Sequence, residues 1–325
     1  MRVAVTGAAG FIGSHCCRAL LNAGHEVSAL DNFDPFYDRR IKERGLAALR
    51  PLDGFRFLEG DIRDSVAVRT ALAGCEAVVH LAARAGVRPS IEQPVLYSSI
   101  NVDGTVQLLD ACRELGIRRF VFGSSSSVYG DATEPPFRED APAVNPISPY
   151  AATKRAGELL CGVYAHLYGM RIASLRFFTV YGPRQRPDLA IHRFTSLLAT
   201  GRTIQQYGDG SSERDYTHVD DIVQGVLGAV RWVGQPGAAH EIVNLGESRT
   251  VSLNRLISLI AGSLGVEPSI EYLPEQPGDV RRTCADISKA GRLLGYHPTV
   301  TIEEGIPAFV DWFRGHYGTE SRTAG

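Results

Sequence analysis

The stretch Thr6-Gly7-Ala8-Ala9-Gly10-Phe11-Ile12-Gly13 stands directly after a β-branched run, RVAVT, and directly before a helical pattern. Glycines there permit a tight turn and let the backbone approach another molecule closely. The N–H groups and dipole of the following helix favour negative charge, so the segment predicts a strand–turn–helix that cradles a pyrophosphate. The spacing is GxxGxxG rather than the commoner GxGxxG, and glycine-rich turns also arise for packing; context decides between them. That context includes an acid, Asp31, at the end of the next strand-like run, EVSALD. Asp31 can accept both hydroxyls of a ribose, and Asn32 and Phe33 beside it carry no positive charge for a 2′-phosphate. The expected cofactor is therefore NAD rather than NADP, with Gly7, Ala9, Gly10, Phe11, Ile12, Gly13, Asp31 and Asn32 as its contacts. Arg39 and Arg40 are the dissenting cations, further along the chain.

The pattern begun at the turn continues. FRFLEGD, AVVHLAA, RRFVFGSSS and RIASLRFFTV follow as strand candidates, nearly continuous in apolar residues, as strands covered on both faces are. Helical patterns lie between them, including residues 95–115 and 149–168. This alternation predicts an α/β fold, a Rossmann-type doubly wound parallel sheet. After about residue 180 the texture changes to longer loops, such as GPRQRPD and PEQPGDV, and EIVNLG reads as one more strand. We expect a dinucleotide-binding domain over 1–179, rejoined by segments around 212–247, and a smaller mixed α/β substrate domain mainly over 180–325. Further cofactor contacts are expected where strands end. Asp61 and Ile62 close the third, the carboxylate either accepting from an adenine amino group or capping a helix. Leu81, Ala82 and Ala83 close the fourth, with small side chains where a cofactor passes.

Composition narrows the field. The chain has 325 residues, 44% hydrophobic and 22% charged, with a net charge of −2, which predicts neither nucleic-acid nor membrane-surface binding. No apolar run reaches the roughly 18 residues of a spanning helix. A strand begins almost at residue 1, where a signal peptide would otherwise stand. The 6 cysteines form no CxxC pair and the 9 histidines no HExxH, so a reducing, cytoplasmic setting and no metal are expected.

Tyr150-Ala151-Ala152-Thr153-Lys154 places a phenol and an ammonium at i and i+4 of a helix, on one face. A phenol of pKa about 10 is a poor base at neutral pH. A nearby lysine and an oxidised nicotinamide would both favour the phenolate. On its own the pair is also an ordinary helix surface; after a dinucleotide-type domain it reads as a redox proton-transfer couple.

TGAAGFIG, GSSSSVYG and YAATK, with Ser125 ahead of Tyr150, together resemble the extended short-chain dehydrogenase/reductase family, most strongly its nucleotide-sugar epimerases, over essentially the whole chain. The resemblance implies Tyr150 as acid/base, Lys154 as ligand of the nicotinamide ribose and tuner of the tyrosine, and Ser125 as hydrogen-bond partner of the reacting sugar oxygen. It also gives the serine run a meaning. Sugar 4,6-dehydratases resemble STDEVYG, with an Asp–Glu pair, and UDP-glucuronate decarboxylases resemble SEVYG, with a Glu before the valine. Ser126 and Ser127 occupy those places here, and hydroxyls are weak proton-transfer groups. What remains is oxidation at C4, rotation of the 4-keto sugar and return of hydride, a 4-epimerisation with NAD retained.

For the substrate, DNFDPFYDRRIKERGLAAL, LAARAGVRPSIEQP and LRFFTVYGPRQRPD resemble UDP-glucuronate 4-epimerases more than their UDP-glucose counterparts. The resemblance implies that Thr179, Ser126 and Ser127 hold a C5 carboxylate, restraining a β-keto acid from losing CO2. It implies that Arg214 meets the diphosphate and Asp279 the uridine ribose, near a departure from the glucose epimerases at Gln276. Arg88 and Arg184 are expected at the diphosphate or the carboxylate, where guanidinium geometry suits paired oxygens. UDP-glucose or a UDP-N-acetylhexosamine is the alternative substrate; decarboxylation or dehydration is the lesser alternative reaction. The resemblance further implies a homodimer, helices 95–115 and 149–168 pairing into a four-helix bundle.

Overall fold

The computed structural model describes residues 1–131, 134–274 and 281–318. Its centre is a parallel sheet of β1 (Arg2–Thr6), β2 (Glu26–Asp31), β3 (Phe55–Glu59), β4 (Ala77–His80), β5 (Arg119–Ser125), β6 (Arg171–Phe177) and a seventh strand, His240–Leu245. In space the order is His240–Leu245, β6, β5, β4, β1, β2, β3. The chain therefore runs outward from β1 to β3, then crosses to β4 on the other side of β1. That reversal leaves a crevice at the carboxyl ends of β1 and β4, the place where open α/β sheets bind ligands.

Helices α1 (Phe11–Asn22), α2 (Arg39–Ala47), α3 (Ser65–Leu72), α4 (Val87–Glu92), α5 (Pro94–Ser98), α6 (Gly104–Glu114) and α7 (Pro149–Tyr168) join the strands. One apolar cluster unites α1 with the helix Val219–Trp232 on one face of the sheet; another unites α3, α6 and α7 on the opposite face. This double cover is why the strands read as unbroken apolar runs: all four residues of β4 are buried. Its one polar member, His80, lies between the hydroxyls of Thr6 at 2.7 Å and Thr105 at 3.0 Å, and burial holds its pKa down to about 3.

Two local departures matter for the site. The helix expected over 95–115 is interrupted by a π-helical turn, Ser99–Asp103, between α5 and α6. The turn buries Asn101, whose side chain donates to Thr153 Oγ1 and to the Arg84 carbonyl, both at 3.0 Å, and accepts from the Arg84 N–H at 2.8 Å. The strand expected over RIASLRFFTV also breaks. Phe178 turns into a separate apolar cluster with Val128, Tyr129 and Phe137, and Thr179–Tyr181 pairs instead with Tyr216–His218. Beyond this bend a further apolar centre forms from the helices Ala190–Ala199, Leu253–Leu264 and Ile302–Tyr317. Among the described residues no helix is long and apolar enough to cross a membrane.

Candidate active site

A cleft of about 720 Å³ runs from the glycine turn to the ends of β5 and α7. Gly7 has φ +71°, and a Cβ there would come within 2.6 Å of the Ala82 N; one on Gly13 would come within 2.0 Å of the Gly7 carbonyl oxygen. Side chains at these positions would push the turn off both the β4 loop and α1. Gly10 is the N-cap of α1 with no side-chain cap, so the first N–H groups of the helix face the cleft. Gly7, Gly10, Phe11, Ile12 and Gly13 line it. Ala9 is not part of this lining, and its N–H donates to Asp31 Oδ2 at 3.0 Å.

Asp31 and Asn32 line the cleft, as do Asp61 and Ile62. Burial raises the Asp31 carboxyl, while Lys42 and the N–H groups of Phe33 and Ala9 draw it down. Asp61 accepts from Arg63 and from Asn32 Nδ2, and these bonds hold it down to about 2. The cap of α3 is not Asp61 but Asp64, which accepts from the Val66 and Ala67 N–H groups. Leu81, Ala82 and Ala83 complete the wall between β1 and β4. Arg39 pairs with Glu59 through two bonds of 2.8 Å and with Glu43 at 2.7 Å, its guanidinium 4.1 Å over the Phe33 ring; Arg40 pairs with Asp38. With both dissenting arginines so engaged, the close-packed turn and the acid at the end of β2 fit NAD.

At the other end the serine run resolves by strand alternation. The Gly123 carbonyl accepts from Lys154 Nζ at 2.6 Å. Ser124 also borders the cleft, but its hydroxyl donates to Glu158 Oε1 at 2.7 Å. Ser125 lines it near the Tyr150 phenol and accepts from the Ser127 N–H at 3.2 Å and Oγ at 3.0 Å. Ser126 and Ser127 follow in a short 3-10 turn and line the cleft as hydroxyls. All four serines thus line the cleft, and the Ser124 hydroxyl is committed to Glu158.

Tyr150 opens α7 just after Pro149, with the Ser148 hydroxyl accepting from the Ala151 N–H at 3.1 Å as N-cap. Burial raises the phenol; the Ser125 hydrogen bond and the Arg186 charge oppose it. Lys154 sits one turn deeper, against the Phe122 ring at 5.1 Å, and gives one of its three N–H donors to the Gly123 carbonyl. Its own pKa falls to about 8 through burial, with Glu158 pulling the other way.

Arg186 is the residue that sequence reasoning missed. Its side chain lines the cleft, bonds Asp188 at 2.8 and 3.0 Å, and lies 5.2 Å from the centre of the Phe36 ring. Arg184, expected at the diphosphate or the carboxylate, has φ +67° and is not part of the cleft lining; Arg18 and the His15 imidazole, which burial favours in its neutral form, lie near it. The two arginines stand two residues apart in an irregular loop, where no periodicity reveals which one faces inward. Thr179 and Arg214 line the cleft; Arg214 donates to the carbonyls of Glu213 at 3.0 Å and Arg281 at 3.4 Å. Arg88 lines the rim on α4, 5.5 Å from the centre of the Tyr207 ring. Asp279 and Gln276 lie outside the described residues.

A phenol, a hydroxyl and an ammonium at the end of a dinucleotide crevice can move a proton while an adjacent carbon gives up hydride. Residues 3–246 match the model of the NAD dependent epimerase/dehydratase family. The chain is 41% identical over 311 residues to a UDP-glucuronate 4-epimerase of Thermodesulfobacterium geofontis, covering 95% of this chain and 94% of that one. Its fold is similar to the UDP-glucuronic acid 4-epimerase of Bacillus cereus in complex with UDP-glucuronic acid and NAD, with TM-score 0.91 and 37% identity over 98% of this chain and 100% of that chain. It is also similar to the Thermus thermophilus UDP-glucose 4-epimerase complex with NAD, with TM-score 0.86 and 34% identity over 97% and 100% of the two chains.

Proposed function

Because the chain belongs to the NAD dependent epimerase/dehydratase family, we propose that its reaction, NAD-dependent 4-epimerisation of a UDP-sugar, interconverts UDP-glucuronate and UDP-galacturonate. The observation that carries this reading is the end of β5: three hydroxyls beside Tyr150 in a cleft that also holds the Arg186 cation. NAD supplies the hydride acceptor when it lies along the crevice. The protein's own groups do the rest. Tyr150 takes the proton of the C4 hydroxyl, Ser125 fixes that oxygen, and Lys154 holds the nicotinamide ribose. Arg214 and Arg88 take the diphosphate, with Asp279 at the uridine ribose.

The 4-keto sugar is a β-keto acid, and it loses CO2 when the carboxylate C–C bond aligns with the ketone π-system. Thr179, Ser126, Ser127 and Arg186 hold the carboxylate out of that alignment. The same hydroxyls in place of Asp and Glu leave no group to drive a dehydration.

The acting unit is a homodimer in the cytoplasm. Val95 on α5 and Leu159, Val163 and Leu167 on α7 are 82%, 56%, 48% and 60% exposed, and the α7 residues recur every fourth position as one apolar stripe. The stripe suits pairing of these helices across a two-fold axis. The 6 cysteines are all free.

Purified protein is incubated with UDP-glucuronate, and separately with UDP-glucose, without added NAD. The reading predicts an isomer of unchanged mass from UDP-glucuronate, and some UDP-pentose from the Thr179→Ala variant. Turnover of UDP-glucose alone would refute the substrate; loss of CO2 or water by the wild type would refute the reaction.

A further inference from the structure

The loop after β2 carries more than the ribose-facing acid. Asp31 Oδ1 accepts from the Phe33 N–H at 2.8 Å, Asn32 Oδ1 from the Asp34 N–H at 2.9 Å, and Asp34 Oδ1 from the Phe36 N–H at 3.0 Å. These overlapping side-chain turns make residues 31–36 one rigid piece, with Phe33 held at φ +52°. The piece is tied to three other segments. Arg84, from the loop after β4, forms an ion pair with Asp34 in which the side chains are 12% and 26% exposed. Lys42 Nζ, from α2, donates to the Asp34 carbonyl at 2.8 Å. The Phe36 ring receives two guanidiniums, Arg84 at 4.7 Å and Arg186 at 5.2 Å.

All the principals, Asp34, Phe36, Arg84 and Arg186, line the same cleft as the glycine turn. Asp31 and Tyr150 mark its two ends, and this set of contacts joins the loop at the first end to the arginine at the second. We propose that residues 33–37 are a strap that retains the dinucleotide between the two half-reactions, latched by Phe36 between Arg84 and Arg186 and by Asp34 on Arg84. The proposal rests on the epimerase reading, in which the hydride removed from C4 must return to C4. A reduced cofactor that escaped would strand the ketone, so such an enzyme needs a closed strap where an ordinary dehydrogenase needs an open one. Cation–π contacts strengthen as they are desolvated, and opening the strap breaks two of them together with a largely buried ion pair.

The test is cofactor exchange without sugar. Protein loaded with NAD is mixed with an excess of isotopically labelled NAD, and the bound fraction is followed by mass spectrometry. Phe36→Leu keeps apolar bulk and removes the π face; Asp34→Asn keeps the turn cap and removes the charge. Each is expected to exchange about tenfold faster than wild type, and Phe36→Trp to exchange near the wild-type rate. Wild-type rates in both Phe36→Leu and Asp34→Asn would overturn the strap, and a Trp variant as fast as the Leu variant would overturn the latch. Failure of the epimerase reading would appear in the product assay and leave these rates unmoved.

Discussion

Lys154 stands between two opposing influences. Burial pushes its ammonium down to about 8, and Glu158, one turn further along α7, pulls it back up. The charged form donates to the Gly123 carbonyl more strongly than the neutral amine, and would do the same to a nicotinamide ribose. The charged form is complete well below pH 8 and is lost as pH rises through that value. kcat is therefore predicted to fall on the alkaline side with a limb near pH 8, and Lys154→Arg, which does not deprotonate, to remove that limb at lower overall activity. A pH–rate profile of both proteins checks this; an unmoved limb in the variant would assign it to another group. At this scale the sequence was informative where spacing carries chemistry, as in Tyr150 and Lys154 on one helical face. It was uninformative where loop conformation decides, as with Arg184 and Arg186.

The elements explain why the serine run works. β5 alternates, so the hydroxyls of Ser124 and Ser125 face opposite ways: Ser124 is held by Glu158 of α7, and Ser125 by Ser127 of the turn that follows. Glu158 also takes Arg176 through bonds of 2.8 and 2.9 Å, and both side chains are almost wholly buried. Removing one partner of such a pair leaves an uncompensated charge. Glu158→Ala is predicted to lower stability by about 3–5 kcal/mol, and Ser124→Ala by about 1 kcal/mol. Urea midpoints measure both; equal, small effects would mean that water reaches Arg176. The alternation of apolar runs and helical patterns was enough to predict the doubly wound sheet. The π-helical turn at Asn101 and the bend at Phe178 were not readable, because each is set by a partner distant in sequence: Thr153 for the first, and for the second the strand that contains Tyr216. The strand break is what carries Thr179 off the sheet and onto the cleft wall.

For the whole molecule, the exposed stripe on α7 predicts self-association. Val163→Glu, a charge at its middle, is expected to shift the dimer to monomer by light scattering, with the fold retained by circular dichroism. A wild type that runs as a monomer would remove the proposed interface. The central claim concerns one carbon and one hydride. Glycines that close-pack a crevice, an acid at one end, and a tyrosine and serines at the other would hold NAD beside a sugar, NAD accepting the C4 hydride and returning it while the tyrosine moves the C4 hydroxyl proton. The most direct measurement is to supply UDP-glucuronate deuterated at C4 to the protein as purified, without added cofactor, and to locate the label by NMR. The account predicts a C4 epimer that keeps its deuterium at C4; deuterium lost to water, or a product lighter by CO2 or water, would contradict it.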